Sequence, residues 1–197
     1  MTSLKDLKSD ARILEQKYKR ILRDPRIFST GIFGDNSDYS NRYDMSGNNK
    51  ASVRGNLFNI PSGKTYTISQ ITAKIYNAGN GDWRYGIYKI VNGIPSAELI
   101  AYTEEKTNVV YGSLVTANII WPSSSVSLEG GNYLLVVICG HTIGIYRGSK
   151  SGQIVRTGTF DSYTDGFSDP YGSGGTDDMN YSLTIYAEYS AVEGETD

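Results

Sequence analysis

The chain has 197 residues, enough to bury a sizeable core as one ordinary domain or one domain plus an appendage, the single domain being expected first. Its 19 Lys plus Arg against 21 Asp plus Glu give a formal net charge of −2. No stretch beyond the opening segment concentrates basic residues, so nucleic acid is not an expected partner. The single cysteine, Cys139, excludes an intramolecular disulfide and leaves the redox compartment open. The longest apolar run, Tyr133 to Cys139, falls far short of the roughly 20 residues a membrane helix needs, and "MTSLKDLKSD" has no apolar h-region. Neither membrane insertion nor a signal peptide is expected in this chain.

The opening "LKDLKSDARILEQKYKRILRD" contains no glycine. Ser3 followed by Asp6 is a capping-box-like start, and Asp24 before Pro25 is a stop, because a proline ring disfavours helical geometry at the residue preceding it. Between them Leu4, Leu7, Ala11, Leu14, Tyr18 and Ile21 recur at alternating steps of three and four, a heptad a/d stripe. The spacing predicts an amphipathic, coiled-coil-like α-helix over 1–25. Its stripe needs a partner surface, either the chain's own domain or, as the 3,4 spacing favours, another copy of the helix in a homo-oligomer.

Residues 26–50 read as a polar linker, with "DNSDYSNRYDMSGNNK" at 35–50 a long surface loop too poor in apolar residues to be core. From Ala51 the pattern is all-β. Val53 to Ile60 lead into a turn at "PSGK", and "YTISQITAKIYNA" alternates, with Ile71, Ala73 and Ile75 on one face. "DWRYGIYKIV" alternates Trp83, Tyr85 and Ile87 against Arg84, Gly86 and Tyr88. Further strands are expected at Leu99 to Thr103, Leu114 to Trp121, Tyr133 to Cys139, Ile143 to Arg147, Ile154 to Phe160 and Tyr181 to Tyr189. Short strands spaced by turns predict an antiparallel β-sandwich over 51–190. "AVEGETD", 191–197, is polar enough to be a disordered acidic tail.

Little in the sequence points to catalysis. His141 is the only histidine, so no multi-histidine metal site can form, and it reads as a strand-end or loop residue. "GSKSG" at 148–152 places Lys150 where a nucleophile elbow needs serine, and no phosphate loop or dinucleotide fingerprint occurs. Paired carboxylates for glycoside hydrolysis need only meet in space, so sequence leaves them open. Acidic residues do cluster: Asp35, Asp38, Asn41 and Asp44 in one polar stretch, and Asp161, Asp165, Asp169, Asp177 and Asp178 in another. Oxygen-rich loops suit a calcium ion, with Asp177 and Asp178 the candidate ligands, but turns closed by Asx side chains explain the same composition. No cofactor is expected beyond such a structural calcium.

Tyrosine is abundant at 16 residues, with 5 phenylalanines and 2 tryptophans, which directs attention to sugar binding. A sugar lays its apolar C–H face on an aromatic ring while acids and amides take its hydroxyls. "FDSYTDGFSDPYGSGG" holds both types, so Tyr163, Phe167 and Tyr171 with Asp161, Asp165 and Asp169 are the candidate ligand-binding residues. A protein interface would use the same tyrosines. Trp83 and Trp121 lie on or beside strands and read first as structural.

Three stretches in order, "YGIYKIVNGIPSAELIAYTEE", "VSLEGGNYLLVVIC" and "DGFSDPYGSGGTDDMNYSLTIYAEY", resemble the jelly-roll, carbohydrate-binding-module-like domains found in phage tail and other virion proteins and in microbial surface proteins. The resemblance spans residues 57–190. It implies a jelly-roll sandwich, a virion or extracellular location, a structural calcium in many members and, by analogy with fibre and spike proteins, a trimer in preference to a dimer. The function expected is a non-catalytic attachment protein whose head binds a surface glycan. The alternatives are a purely structural capsid, fibre or decoration protein without a small ligand, and a glycan-processing enzyme.

Overall fold

The computed structural model describes residues 28–45, 51–76, 81–107, 112–139, 143–160, 166–169, 171 and 176–193. The helix expected over 1–25, with its Leu4, Leu7, Ala11, Leu14, Tyr18 and Ile21 stripe, lies outside them, as do His141 and the chain end from 194.

The described residues form eleven strands: β1 (Phe28–Asp35), β2 (Asn41–Met45), β3 (Ala51–Ile68), β4 (Gln70–Tyr76), β5 (Trp83–Ile90), β6 (Glu98–Thr103), β7 (Ser113–Trp121), β8 (Val126–Cys139), β9 (Ile143–Phe160), β10 (Thr176–Leu183) and β11 (Ile185–Glu193). Every pairing is antiparallel. The hydrogen-bonded order is β1-β11-β3-β8-β5-β6-β7-β4-β9-β10, with β2 also on β9. Two further pairings, β11 with β4 and β3 with β9, fold this path back on itself. Strands β3–β8–β5 and β7–β4 thus line one core, and β9 and β11 each pair with both β3 and β4.

The alternation read from the sequence fills that core. Ile71, Ala73 and Ile75 of β4, Trp83, Tyr85 and Ile87 of β5, and Tyr133, Leu135, Val137 and Cys139 of β8 are buried in one cluster. Each large apolar side chain removed from water contributes about 1.5–3 kcal/mol. The three polar aromatic tips named here are satisfied: Trp83 Nε1 donates to Tyr85 Oη at 3.1 Å, Tyr85 Oη donates to the Val115 carbonyl at 3.0 Å, and Tyr133 Oη donates to the Glu129 carbonyl at 2.8 Å.

Several expected boundaries shift. The stretch expected as linker and loop contains two strands: β1 runs along β11 from Phe28–Val192 to Asp35–Ile185, and β2 pairs with β9. Phe33 and Met45 are core residues. Only every other side chain of such a strand need be apolar, so a polar-looking segment hides it. Asp35, 2% exposed, pins the link between β1 and β2. It accepts from Ser37 N at 3.0 Å, Tyr39 Oη at 2.9 Å and Lys150 Nζ at 2.9 Å. Burial pushes this carboxyl up, but hydrogen bonds from Ser182, Ser37 and Lys150 together hold it well below the usual carboxylate range.

"PSGK" is an excursion within β3 and not the end of a strand: Ile60 pairs with Gly131 and Thr65 with Glu129 of the same β8, with Gly63 at φ +78° between them. "Ile143 to Arg147" and "Ile154 to Phe160" are likewise one strand, β9, whose Gly152 N donates to Asn180 Oδ1 at the irregularity of β10. The closing strand divides at Thr184 into β10 and β11, and Ala191, expected in the tail, is buried within β11.

Candidate functional site

The run "YLLVVIC" is buried on both faces. Leu134, Val136 and Ile138 point away from the main core, yet they are as buried as their neighbours, and with Val53, Tyr88, Ala97 and Tyr171 they form a second cluster. Part of its cover is the segment Gly166–Asp169 and Tyr171, laid across the outside of β5, β8 and β3. Glycines make the close approach possible: a Cβ at Gly86 would lie 2.8 Å from Phe167 Cε1, and one at Gly158 would lie 2.8 Å from Tyr171 Oη. Three hydrogen bonds hold the segment down. Tyr88 Oη donates to the Ser168 carbonyl at 2.6 Å, Tyr171 N to the Ala97 carbonyl at 2.9 Å, and Leu99 N to Asp169 Oδ1 at 3.1 Å.

This placement revises the expected sugar site. Tyr171, 3% exposed, is a core residue and not a platform. Burial pushes its hydroxyl and that of Tyr88 well above the ordinary phenol range. Asp169 caps the Leu99 amide. Asp161, Tyr163 and Asp165 lie outside the described residues. Phe167 alone of the described candidates keeps a partly open ring, packed at 6.0 Å from Tyr102.

A more open pair of rings lies one step further out. Tyr102 of β6 and Trp121 of β7 are direct cross-strand partners and stack at 5.4 Å with 10° between their rings. Trp121 is 39% exposed, whereas Trp83 is fully buried. Trp121, Tyr102, Phe167, Tyr88 and Tyr171 therefore form a continuous line of ring contacts from solvent into the second cluster. On β5, Arg84 shares the outward face with Gly86 beneath Phe167 and pairs with Glu105 at 3.0 Å, both side chains partly open. Rings with a charged pair on the same face offer an apolar surface and hydroxyl partners together. The sequence did carry one sign of this: Trp121 ends a strand at a proline and Tyr102 occupies an outward position, but an outward ring on a strand reads equally as cover for its neighbour.

The candidate calcium ligands do not converge. Asp177 and Asp178 are successive residues of β10, so their side chains leave opposite faces. Asp177 pairs with Arg156 at 3.0 Å, and Asp178 accepts from Tyr43 Oη at 2.9 Å beside Arg147 at 3.7 Å. The acids of the earlier polar stretch are also engaged: Asp35 closes an Asx turn, Asp38 pairs with Lys74, and Asp44 pairs with Arg42. Among the described residues no group of three or more His, Cys, Asp and Glu is placed to hold a metal. Cys139 is buried in the core. No helix among the described residues is long and apolar enough to cross a membrane.

No protein-family model matches the sequence, and no curated protein matches it. Solved structures with a related course include the clostridial cysteine protease Cwp84 after propeptide cleavage, at 13% identity and a TM-score of 0.49, covering 84% of this chain and 40% of that one. Infectious bursal disease virus, Gx strain, follows at 8% identity and a TM-score of 0.41, covering 86% and 34%. The Clostridium thermocellum xylanase 10B CBM22-1–GH10 modules, complexed with xylohexaose, match at 13% identity and a TM-score of 0.28, covering 85% and 26%. The chain spans less than half the length of each.

Proposed function

We propose that this chain is the jelly-roll-like head of a non-catalytic attachment protein at a virion or cell surface, and that it binds a glycan at Trp121, Tyr102 and Phe167. The observation that carries the reading is the stacked Tyr102–Trp121 pair with its open indole face. A pyranose C–H face packs on such a ring, and the Arg84–Glu105 pair lies on the side of the sheet where hydroxyls need partners. The non-catalytic part is supported by the engagement of Asp35, Asp38, Asp177 and Asp178 in hydrogen bonds and ion pairs that tie strands and the β1–β2 link together, and of Asp44 in an ion pair with Arg42 of its own strand. Self-association through the heptad stripe, with a trimer favoured, belongs to the same proposal and would give a weak single site avidity. Light scattering on the full chain and on one beginning at Pro25 tests it.

A second reading is favoured by one observation. Leu114 and Ile120, 58% and 56% exposed, lie on β7 with Trp121, so the same strand suits a subunit contact in a purely structural virion component. A glycan array with the wild-type chain and Trp121→Ala separates the two. Binding that is lost with the indole supports the head; a blank array together with a change of oligomeric state in Leu114→Ser supports the structural component.

A further inference from the structure

At the far side of β3 from the aromatic platform, Arg54 and Thr157 stand directly opposite one another in the β3–β9 ladder. On its other side Arg54 is opposite Val137, a main-core residue, so both side chains lie on the inner face of the sandwich. Arg54 Nη1 donates to the Val53 carbonyl at 3.0 Å. Arg54 Nε and Thr157 Oγ1 are buried with no hydrogen-bond partner, and no acid among the described residues pairs with Arg54. The guanidinium lies 4.8 Å from the centre of the Tyr43 ring, and Arg147 lies 3.9 Å from the same ring and 4.5 Å from that of Tyr181. The one acid in the group, Asp178, is taken by Tyr43 Oη and stands beside Arg147.

We propose that this end of the sandwich, between Arg54, Thr157 and Arg147 around Tyr43, binds a carboxylate. Two buried donors without an acceptor require an oxygen. Two guanidinium groups against one carboxylate leave a single positive charge, which selects a monoanion over water or a dianion. The planar fork of arginine matches the two oxygens of a carboxylate. Arg147 and Asp178, with side chains 27% and 35% exposed, form the open end through which the ligand enters. The site is separate from the Trp121 platform and does not rest on it. The carboxylate belongs either to an acidic sugar or to a small free acid.

The test follows the Arg54 Nε–H resonance of the full-length protein, assigned by its loss in Arg54→Lys, during titration with sodium glucuronate, sodium acetate, glucose and, at matched ionic strength, sodium chloride. A saturable shift with a carboxylate, absent with glucose and chloride and about tenfold weaker in Thr157→Val, is the expected result. Thr157→Val keeps the shape of the site, and where Arg54→Lys does not fold the Nε–H is assigned by its through-bond correlations to the Arg54 side chain. Glucuronate acting well below the concentration of acetate identifies an acidic sugar; equal action identifies a free acid. A resonance that no carboxylate moves, that chloride moves equally, or that responds unchanged in Thr157→Val overturns the proposal and leaves the two donors to water.

Discussion

Phe167 lies against the bare Cα of Gly86, so close that a Cβ there would sit 2.8 Å from the ring. Gly86 pairs with Tyr102, and the Phe167 ring is the next contact in the line from Trp121 inward. Gly86→Ala is therefore expected to lift Phe167, at a cost of about 1–3 kcal/mol for overpacking, and to weaken any ligand of the platform. Urea unfolding measures the first and a binding titration the second. An unchanged urea midpoint would show that the segment does not pack on β5.

Tyr171 and Phe167 differ in depth although they belong to one segment. Tyr171→Ala empties a buried ring site and is expected to lose about 3–5 kcal/mol, while Phe167→Ala, partly open, loses less. If Tyr171→Ala leaves stability intact but abolishes glycan binding, Tyr171 is a ligand contact and not a core residue.

A chain beginning at Ala51 lacks β1 and β2. It forfeits Phe33 and Met45 from the core, about 3–6 kcal/mol at 1.5–3 each, out of a typical domain stability of about 5–15, and bares the edge of β11. It is expected to aggregate or melt without cooperativity, while a chain beginning at Arg26 melts like the full protein. Circular dichroism of both decides, and a cooperative Ala51 chain would exclude β1 and β2 from the folding unit.

The sequence made the fold legible where burial is one-sided. Ile71, Ala73 and Ile75, or Trp83, Tyr85 and Ile87, alternate because one face meets the core. It was opaque where polar residues occupy strands: in β2 only Met45 is fully buried and Tyr43 half-buried, so composition read as loop. Leu134, Val136 and Ile138 carried an unused signal. A strand apolar on both faces needs a second cover, and Tyr171 supplies part of it. Which rings of the aromatic segment face water depends on Gly86 and Gly158, far away in sequence.

Asp35 gives the stability a pH dependence with a definite sign. Its folded-state carboxyl titrates below the unfolded value of about 3.9, so in acid the folded chain binds fewer protons than the unfolded one. The contribution is present above about pH 4 and is lost as pH falls toward the folded value. Asp35→Asn should lower the melting temperature at pH 7 and flatten its fall below pH 4. A variant with an acid limb as steep as the wild type would remove Asp35 from that role.

Trp121 is the open indole and Trp83 the fully buried one, which makes tryptophan emission a local reporter of the platform. Titrating the full-length protein with an oligosaccharide identified on the array is expected to give a saturable change in emission. In Trp121→Phe, which keeps Trp83, that change is expected to vanish, and in Trp121→Ala affinity should fall about tenfold or more, roughly 1.4 kcal/mol per decade. Oligosaccharide binding of undiminished affinity in Trp121→Ala would contradict the account.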